Sequence, residues 1–261
     1  MSGSANISNK VVEAVREAGR IIIENSKGAK HVELKGRIDL VTDTDREVEE
    51  FLKKRLGEIV PEASFLAEES ESDTGLSDPC WIIDPLDGTT NFAHGLPILA
   101  SSVALWRGGG MEIGVIGVPF LDECFHAERD KGAFLNGEPI RVSDKQVLEK
   151  SLIATGFPYA IRQNIRLVMD NMESVLTRCR GVRRMGAAAV DLAYLAAGRF
   201  DAFYEPLLHP WDTAAGILLV REAGGRVTTF DGEEYSIFSD TILASNGRIH
   251  EAVSKILVKQ A

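Results

Sequence analysis

The chain has 261 residues, 44% of them hydrophobic, and carries 39 acidic against 29 Lys and Arg side chains for a formal net charge of −10. That length buries a core without disulfide or metal staples, and the charge argues against nucleic acid or an acidic membrane as partner. No run approaches the ~18 apolar residues of a membrane span, the opening MSGSANISNK lacks the apolar region of a secretory signal, and Cys80, Cys124 and Cys179 fit neither a zinc spacing nor a disulfide framework. A reducing cytoplasm is therefore the expected compartment.

In chain order, Ile7, Val11, Val15, Ala18 and Ile22 recur at helical spacing and predict a helix over 7–23 with Ser8 as its cap. Extended pieces follow at 32–34 and 38–41, separated by a turn at 35–37. Thr42, Asp43 and Thr44 open a second helix, with Thr44 and Glu47 at capping-box spacing. Val48, Phe51, Leu52, Leu56 and Ile59 form its buried stripe, and Pro61 ends it. Residues 64–67 read as a short strand running into Glu68-Glu69, 75–79 as a loop, and 81–83 as a wholly apolar, buried strand. Strands are then expected at 100–106, 113–118 and 124–127, and Asn136-Gly137 marks a hairpin turn. From Ser151 strands and helices alternate. Helices are expected over 165–176, 187–197, 213–223 and 249–258, and strands over 200–204 and 242–244. Gly224-Gly225 closes the third of these helices. The basic run Arg178, Arg180, Arg183 and Arg184 reads as a solvated helix end and strand start. This mixed order argues for stacked α and β layers, with a soft break near 145–150.

The most informative run is Trp81-Ile82-Ile83-Asp84-Pro85-Leu86-Asp87-Gly88-Thr89-Thr90-Asn91-Phe92. A buried strand ends, and two aspartates stand three residues apart. Pro85 holds Asp84 extended and interrupts any helix, so both carboxylates can converge beyond the strand. Gly88 allows a close turn, and Thr89, Thr90 and Asn91 form the first turn of a helix whose free N–H groups suit an anion. Acids beside a phosphate cradle conflict unless a hard divalent cation, magnesium, takes carboxylate, carbonyl and phosphate oxygens together. The plainer alternative makes Asp84 and Asp87 turn and cap residues. Glu68-Glu69 alone would be a solvated strand edge. Asp39, Asp43 and Asp45 alone would be caps and helix-dipole partners, and Asp212 a helix N-cap, unless the fold brings them to Asp84 and Asp87.

Asp84-Pro85-Leu86-Asp87-Gly88-Thr89-Thr90-Asn91-Phe92 resembles the first signature of the inositol monophosphatase family, and Trp211-Asp212-Thr213-Ala214-Ala215-Gly216 resembles the second. Ala67-Glu68-Glu69-Ser70 is similar to the family's Gly-Glu-Glu-Ser element, with alanine for glycine. Asp39-Leu40-Val41-Thr42-Asp43-Thr44-Asp45 matches a further element. All stand in family order over nearly the whole chain. The resemblance implies an α/β fold, a layered α/β/α/β/α sandwich of the inositol monophosphatase and fructose-1,6-bisphosphatase type. It also implies a homodimer, and an active site between a half of residues 1–147 and a half of residues 148–261.

By the same resemblance the site holds two to three magnesium ions. Glu68, Asp84 and the Leu86 carbonyl would bind the first, and Asp84, Asp87 and Asp212 the second, with a looser third near Glu68. Glu69 is a nearby acid. Thr89, paired with Asp45, would orient the attacking water, and Glu68 shares in catalysis. Gly88 and Thr89 N–H groups would hold phosphate, and Glu68, Leu86, Asp87 and Asp212 border the substrate. Gly186-Ala187-Ala188 matches the family's Gly-Thr-Ala substrate loop, although Ala187 lacks the hydroxyl. Glu205, seven residues before Asp212, falls where the family grips a substrate hydroxyl pair.

The implied reaction is direct hydrolysis of a small phosphomonoester by a metal-activated water, sensitive to lithium, with inositol monophosphate as leading substrate and no Cys or Ser phosphoenzyme. Fructose 1,6-bisphosphate, histidinol phosphate and phosphoadenosine phosphate remain open. Glu205 favours a polyol, because one carboxylate can accept from two neighbouring hydroxyls. A regulatory binding protein with secondary catalysis is the reading from another class; the cost of retaining mutually repelling carboxylates argues against a purely non-catalytic one. His94 and His209 read as packing or capping residues.

Overall fold

A computed structural model describes residues 2–28, 32–34, 40–70 and 76–257. Asp39, the 35–37 turn, Gly75 and Val258 lie outside the described residues. Helix α1 (Ser2–Asn25) and the ribbon of β1 (Val32–Leu34) and β2 (Leu40–Thr42) lead into α2 (Asp43–Ile59). Then come β3 (Ser64–Ala67), β4 (Cys80–Asp87), the short α3 (Thr89–Ala93), β5 (Ala100–Trp106), β6 (Met111–Val118), β7 (Glu123–Glu128), β8 (Gly132–Leu135) and β9 (Glu138–Ile140). Beyond residue 150 lie β10 (Leu152–Thr155), α4 (Ile161–Leu176), β11 (Gly181–Arg183), α5 (Ala188–Ala196), β12 (Ala202–Pro206), α6 (Pro210–Glu222), β13 (Arg226–Thr228), β14 (Thr241–Ser245) and α7 (His250–Ser254).

Strands β3 to β9 form one seven-stranded sheet in sequential order, antiparallel except for the parallel β3–β4 pair. A five-stranded sheet runs β11-β10-β12-β14-β13, with β10 parallel to both neighbours and β14 antiparallel to both of its own. Because successive strand residues face opposite ways, each sheet feeds two cores. In β4, Trp81 and Ile83 face α1 and α2, while Cys80 and Ile82 face the core that contains α5 and α6. In β12, Phe203 faces that same central core, while Ala202 and Tyr204 face a third one with Val175 of α4 and Val253 of α7. The result is the α/β/α/β/α sandwich, with α5 and α6 buried between the sheets.

Several boundaries differ from expectation for local reasons. Helix α1 begins at Ser2, so Ser8 is not its cap but a buried residue within it. The capping box of α2 joins Thr42 to Asp45, two residues before the expected Thr44–Glu47 pair; the Thr42 N–H donates to Asp45 Oδ2 at 2.8 Å. Pro210, with no N–H to lose, starts α6 earlier than expected, so Asp212 is the third helical residue and not the N-cap. Strand β4 continues through Asp84 and Asp87, with an irregularity in its pairing between them, instead of ending at Ile83. Proline in a strand is tolerated at such a break. The last helix is shorter than 249–258, and strand 200–204 is displaced to Ala202–Pro206. At the hairpin, Asn136 (φ 50°) and Gly137 (φ 87°) both take the left-handed conformation that a two-residue turn requires.

Helix α6 carries Asp212, and its position depends on missing side chains. A Cβ on Gly114 of β6 would sit 2.9 Å from the Ala215 carbonyl oxygen of α6, and one on Gly216 would sit 2.5 Å from Leu192 Cδ1 of α5. The helix is thus held at backbone distance by the sheet on one side and by α5 on the other. Gly216→Ala sets two effects against each other. Alanine favours a helix by about 1 kcal/mol, whereas overpacking a filled core costs about 1–3 kcal/mol. We expect net destabilisation, read as a lower urea midpoint at unchanged slope.

His250 makes a second testable feature. Buried, its Nε2 lies 2.9 Å from Thr228 Oγ1 of β13 and its Nδ1 2.8 Å from Ser245 Oγ of β14. Burial first, and Arg226 second, lower its pKa to about 4. The folded state therefore prefers the neutral ring. Below the unfolded value of about 6.5 the unfolded chain binds the proton more readily. This contribution is present at pH 7 and is lost as pH falls from about 6.5 towards 4, amounting to roughly 2 kcal/mol by pH 5. His250→Gln should flatten the pH dependence of thermal stability between pH 7 and 5 relative to the wild type.

Candidate active site

The site grows from the end of β4. Asp84 is buried, and its Oδ1 accepts the Leu86 N–H at 3.0 Å, which pins the carboxyl at the pairing irregularity. Gly88 follows with φ 93°, a left-handed turn open to glycine, and starts α3. A Cβ there would also meet the Ile98 carbonyl oxygen at 3.1 Å. The Thr89 hydroxyl lies 2.9 Å from Asp45 Oδ1 and 3.0 Å from the Leu86 carbonyl oxygen. Asp45 is fully buried beneath it, and its other oxygen accepts from Thr42. The α2 cap and the α3 start are thereby joined through one side chain.

From the other side of the molecule, α5 and α6 bring their N-terminal turns to the same place. Asp87 Oδ2 accepts the Ala189 N–H at 2.6 Å, at the start of α5. Asp212, in the first turn of α6, accepts the His209 N–H at 2.6 Å. Two adjoining cavities result, sharing a wall of Asp87, Gly88, Thr89, Tyr159, His209 and Asp212. One is closed by Glu68, Asp84, Leu86 and Trp211. The other is closed by the loop from Gly156 to Pro158, by Arg184, Gly186, Ala187 and Ala188, and by Asp191 and Glu205. All the residues expected to form the site line these cavities, with Asp45 just beneath. Glu69 lines neither cavity, His94 is exposed and also lines neither, and His209 is exposed and stacks on Trp211 at 4.8 Å.

The electrostatics are those of an acid cluster short of positive charge. Asp84 is held well above the usual carboxylate range by burial first, then by Glu68, Asp87 and Asp212. Asp87 is raised by burial and then by Asp212, against the opposing Ala189 N–H. Glu205 is raised by burial, then by Asp212 and Asp87, with Arg184 acting the other way. Among the described residues no three Asp, Glu, His or Cys side chains close into a finished metal cage; the carboxyls stand around the cavity without clenching on one point. The donor set is nevertheless all oxygen, and mutual repulsion is what a hard divalent cation relieves. The residues fit such a cation.

Three further residues have a part in this geometry. Buried Glu49, on α2, accepts the Glu69 N–H at 2.8 Å and the Ser70 hydroxyl, and so holds the segment that carries Glu68. Asn91 Nδ2 donates to the Ile98 carbonyl at 2.6 Å and the Met185 carbonyl at 2.9 Å, tying α3 to the loop of Gly186. Asp191 lies on α5. A signal exists for the last: it is the one acid in the alanine-rich run Gly186-Ala187-Ala188-Ala189-Val190-Asp191-Leu192-Ala193. Asn91 stands within the signature run from Asp84 to Phe92, which marks its position but not its partners, and Glu49 has no such signal.

The five-layer fold and an acid-walled cavity beside a helix start are those of a metal-dependent phosphatase. The chain belongs to the inositol monophosphatase family, whose sequence profile matches residues 5–261. It is 41% identical over 252 residues to the inositol-1-monophosphatase of Rhizobium meliloti, covering 95% of each chain. It is 38% identical to a fructose-1,6-bisphosphatase/inositol-1-monophosphatase of Thermotoga maritima, covering 94% of this chain and 93% of that one. Among solved structures, the extragenic suppressor protein suhB of Bartonella henselae superposes with a TM-score of 0.91 at 42% identity, over 97% of this chain and 98% of that one.

Asn91→Ala would leave two carbonyls of the site unmatched, each costing about 1–3 kcal/mol where buried. We expect a lower urea midpoint together with faster amide exchange in residues 185–188 than elsewhere in the central layer.

Proposed function

We propose that the chain hydrolyses a small polyol phosphomonoester, inositol monophosphate foremost, with magnesium in the acid-walled cavity. The observation that carries this reading is the shared wall: the acids suited to a cation and the cavity floored by Glu205 meet along Asp87, Gly88, Thr89 and Asp212. Glu68, Asp84 and the Leu86 carbonyl would hold one magnesium; Asp84, Asp87 and Asp212 would hold a second; a third, looser one would lie near Glu68. Magnesium, when bound, supplies positive charge to the phosphoryl oxygens and eases deprotonation of a water.

The chain's own residues do the rest. The Gly88 and Thr89 N–H groups bind phosphate at the start of α3. With its proton donated to Asp45, the Thr89 hydroxyl turns its oxygen lone pairs outward to accept from the attacking water and orient it. Gly186, Ala187 and Ala188 border the alcohol with backbone and small side chains only, and Glu205 accepts from its hydroxyls. Asp87 and Asp212, on the shared wall, align the ester between the two cavities. The acids of residues 1–147 and of residues 148–261 both take part, so the site lies between these halves.

A sugar bisphosphate is a second substrate reading, favoured by the double name of the Thermotoga maritima relative and by the guanidinium of Arg184 at the cavity that holds Glu205. Sensitivity to lithium accompanies the magnesium proposal. A homodimer is supported by the exposed apolar side chains Ile165, Met169 and Leu176 on α4. A cytoplasmic setting is supported by three cysteines that form no disulfide; among the described residues no helix is long and apolar enough to cross a membrane.

The test is phosphate release with magnesium from inositol 1-phosphate, fructose 1,6-bisphosphate and histidinol phosphate, with and without lithium. We expect the first to be turned over best and lithium to suppress it; preference for histidinol phosphate would overturn the polyol assignment. Asp87→Asn should lower turnover by roughly 10²–10³-fold or more. It should leave the thermal stability of the metal-free protein equal or higher, since it removes a repelled charge while keeping an acceptor for the Ala189 N–H.

A further inference from the structure

The cavity floored by Glu205 contains a carboxyl that the proposed reaction leaves unused. Asp191 stands in the first turn of α5 with 1% of its surface exposed, between Val190 and Leu192, both fully buried. It lines the same cavity as Glu205, and its Oδ1 has no hydrogen-bond partner within the protein. An unmatched buried polar atom costs about 1–3 kcal/mol. Burial, then Glu205, then Asp87 push this carboxyl well above the usual carboxylate range. Two plainer uses do not account for it. A helix-dipole partner needs no such burial and works at the surface. An ion-pair partner needs a cation in contact, but Arg184 is exposed, with its guanidinium 5.4 Å from the Phe157 ring centre, and forms no ion pair with Asp191 within 4.0 Å.

A Cβ on Gly156 would lie 2.1 Å and 2.3 Å from the two Glu205 carboxyl oxygens, so the absence of a side chain at Gly156 makes the room in which the Glu205 carboxyl lies. The cavity therefore has one carboxyl lying over Gly156 and a second, on α5, with one oxygen enclosed and unmatched.

We propose that Asp191 is a second substrate-recognising residue, whose carboxyl accepts a hydrogen bond from a hydroxyl of the leaving alcohol beyond those that Glu205 takes. This rests on the phosphatase reading and narrows it to alcohols with several hydroxyls around one ring or chain. An alcohol without them leaves the oxygen unmatched, and a site built to bond a hydroxyl discriminates strongly against an analogue that lacks it.

The experiment compares kcat/KM for inositol 1-phosphate and for phenyl phosphate in the wild type, Asp191→Ala and Asp191→Asn. It adds the monodeoxy inositol phosphates with the wild type. Both substitutions remove a desolvated acid, so melting temperatures at or above the wild type are expected. The ratio of the two kcat/KM values should fall by about tenfold in Asp191→Ala, carried mainly by KM for the inositol ester, and less in Asp191→Asn, which keeps an acceptor. One monodeoxy ester should lose a similar factor with the wild type and nothing further with Asp191→Ala. A structural role would lower both esters alike and leave the ratio within twofold of the wild type, which overturns the proposal. So does a wild type indifferent to every hydroxyl deletion, a result that stands even if neither variant folds. Absence of turnover of either ester by the wild type would overturn the phosphatase reading and this inference with it.

Discussion

Carboxyls that repel one another can share a cavity only if something stiffer than their own preference holds them there. Here the stiff part is the central helical layer. Helix α6 has β6 against one side at Gly114 and α5 against the other at Gly216, each at a distance that admits no further carbon atom. Its first turn therefore has one place to be, and Asp212 with it. Strand β4, paired with β3 on one side and β5 on the other, does the same for Asp84 and Asp87. The repulsion shows as carboxyls raised above their ordinary range, and the packing withstands it.

The hydrogen bonds around the acids are placed to hold their orientation. Asp84, Asp87 and Asp212 each accept a backbone N–H, from Leu86, Ala189 and His209 respectively. A carboxylate can accept several such bonds, so capacity remains for a cation and for substrate. Asp45 is different: its oxygens meet Thr42 and Thr89, and it faces the site only through the Thr89 hydroxyl. That division separates carboxyls that border the cavity from one that lies behind it.

Much of this is legible in the residues alone, but unevenly. The run from Trp81 to Phe92 is readable because apolar residues, Pro85 and Gly88 each restrict the backbone in a known way, and restriction of that kind is local. The hairpin at Asn136-Gly137 is readable for the same reason. Asp212 passes for an N-cap because a helix start moved forward to Pro210 is invisible to hydrophobic spacing. Ser8 passes for a cap because a buried serine and a capping serine look alike in a string. The partners of Glu49 and Asn91 go unseen because they include the backbones of Glu69, Ile98 and Met185, and a backbone atom has no sequence signature. Bringing Asp212 to Asp84 requires the whole five-layer arrangement, which the spacing of residues alone does not encode; the family resemblance supplies it.

The burial of α6 between two sheets has a consequence for how the molecule loses its site. A loop-borne ligand can swing away while the rest stays native, but a helix in the middle layer has no such local excursion, because its departure exposes both faces at once. Loss of Asp212 from the proposed cation site is thus the same event as loss of the central layer. Occupancy of that cavity should then set the lifetime of the native molecule as a whole.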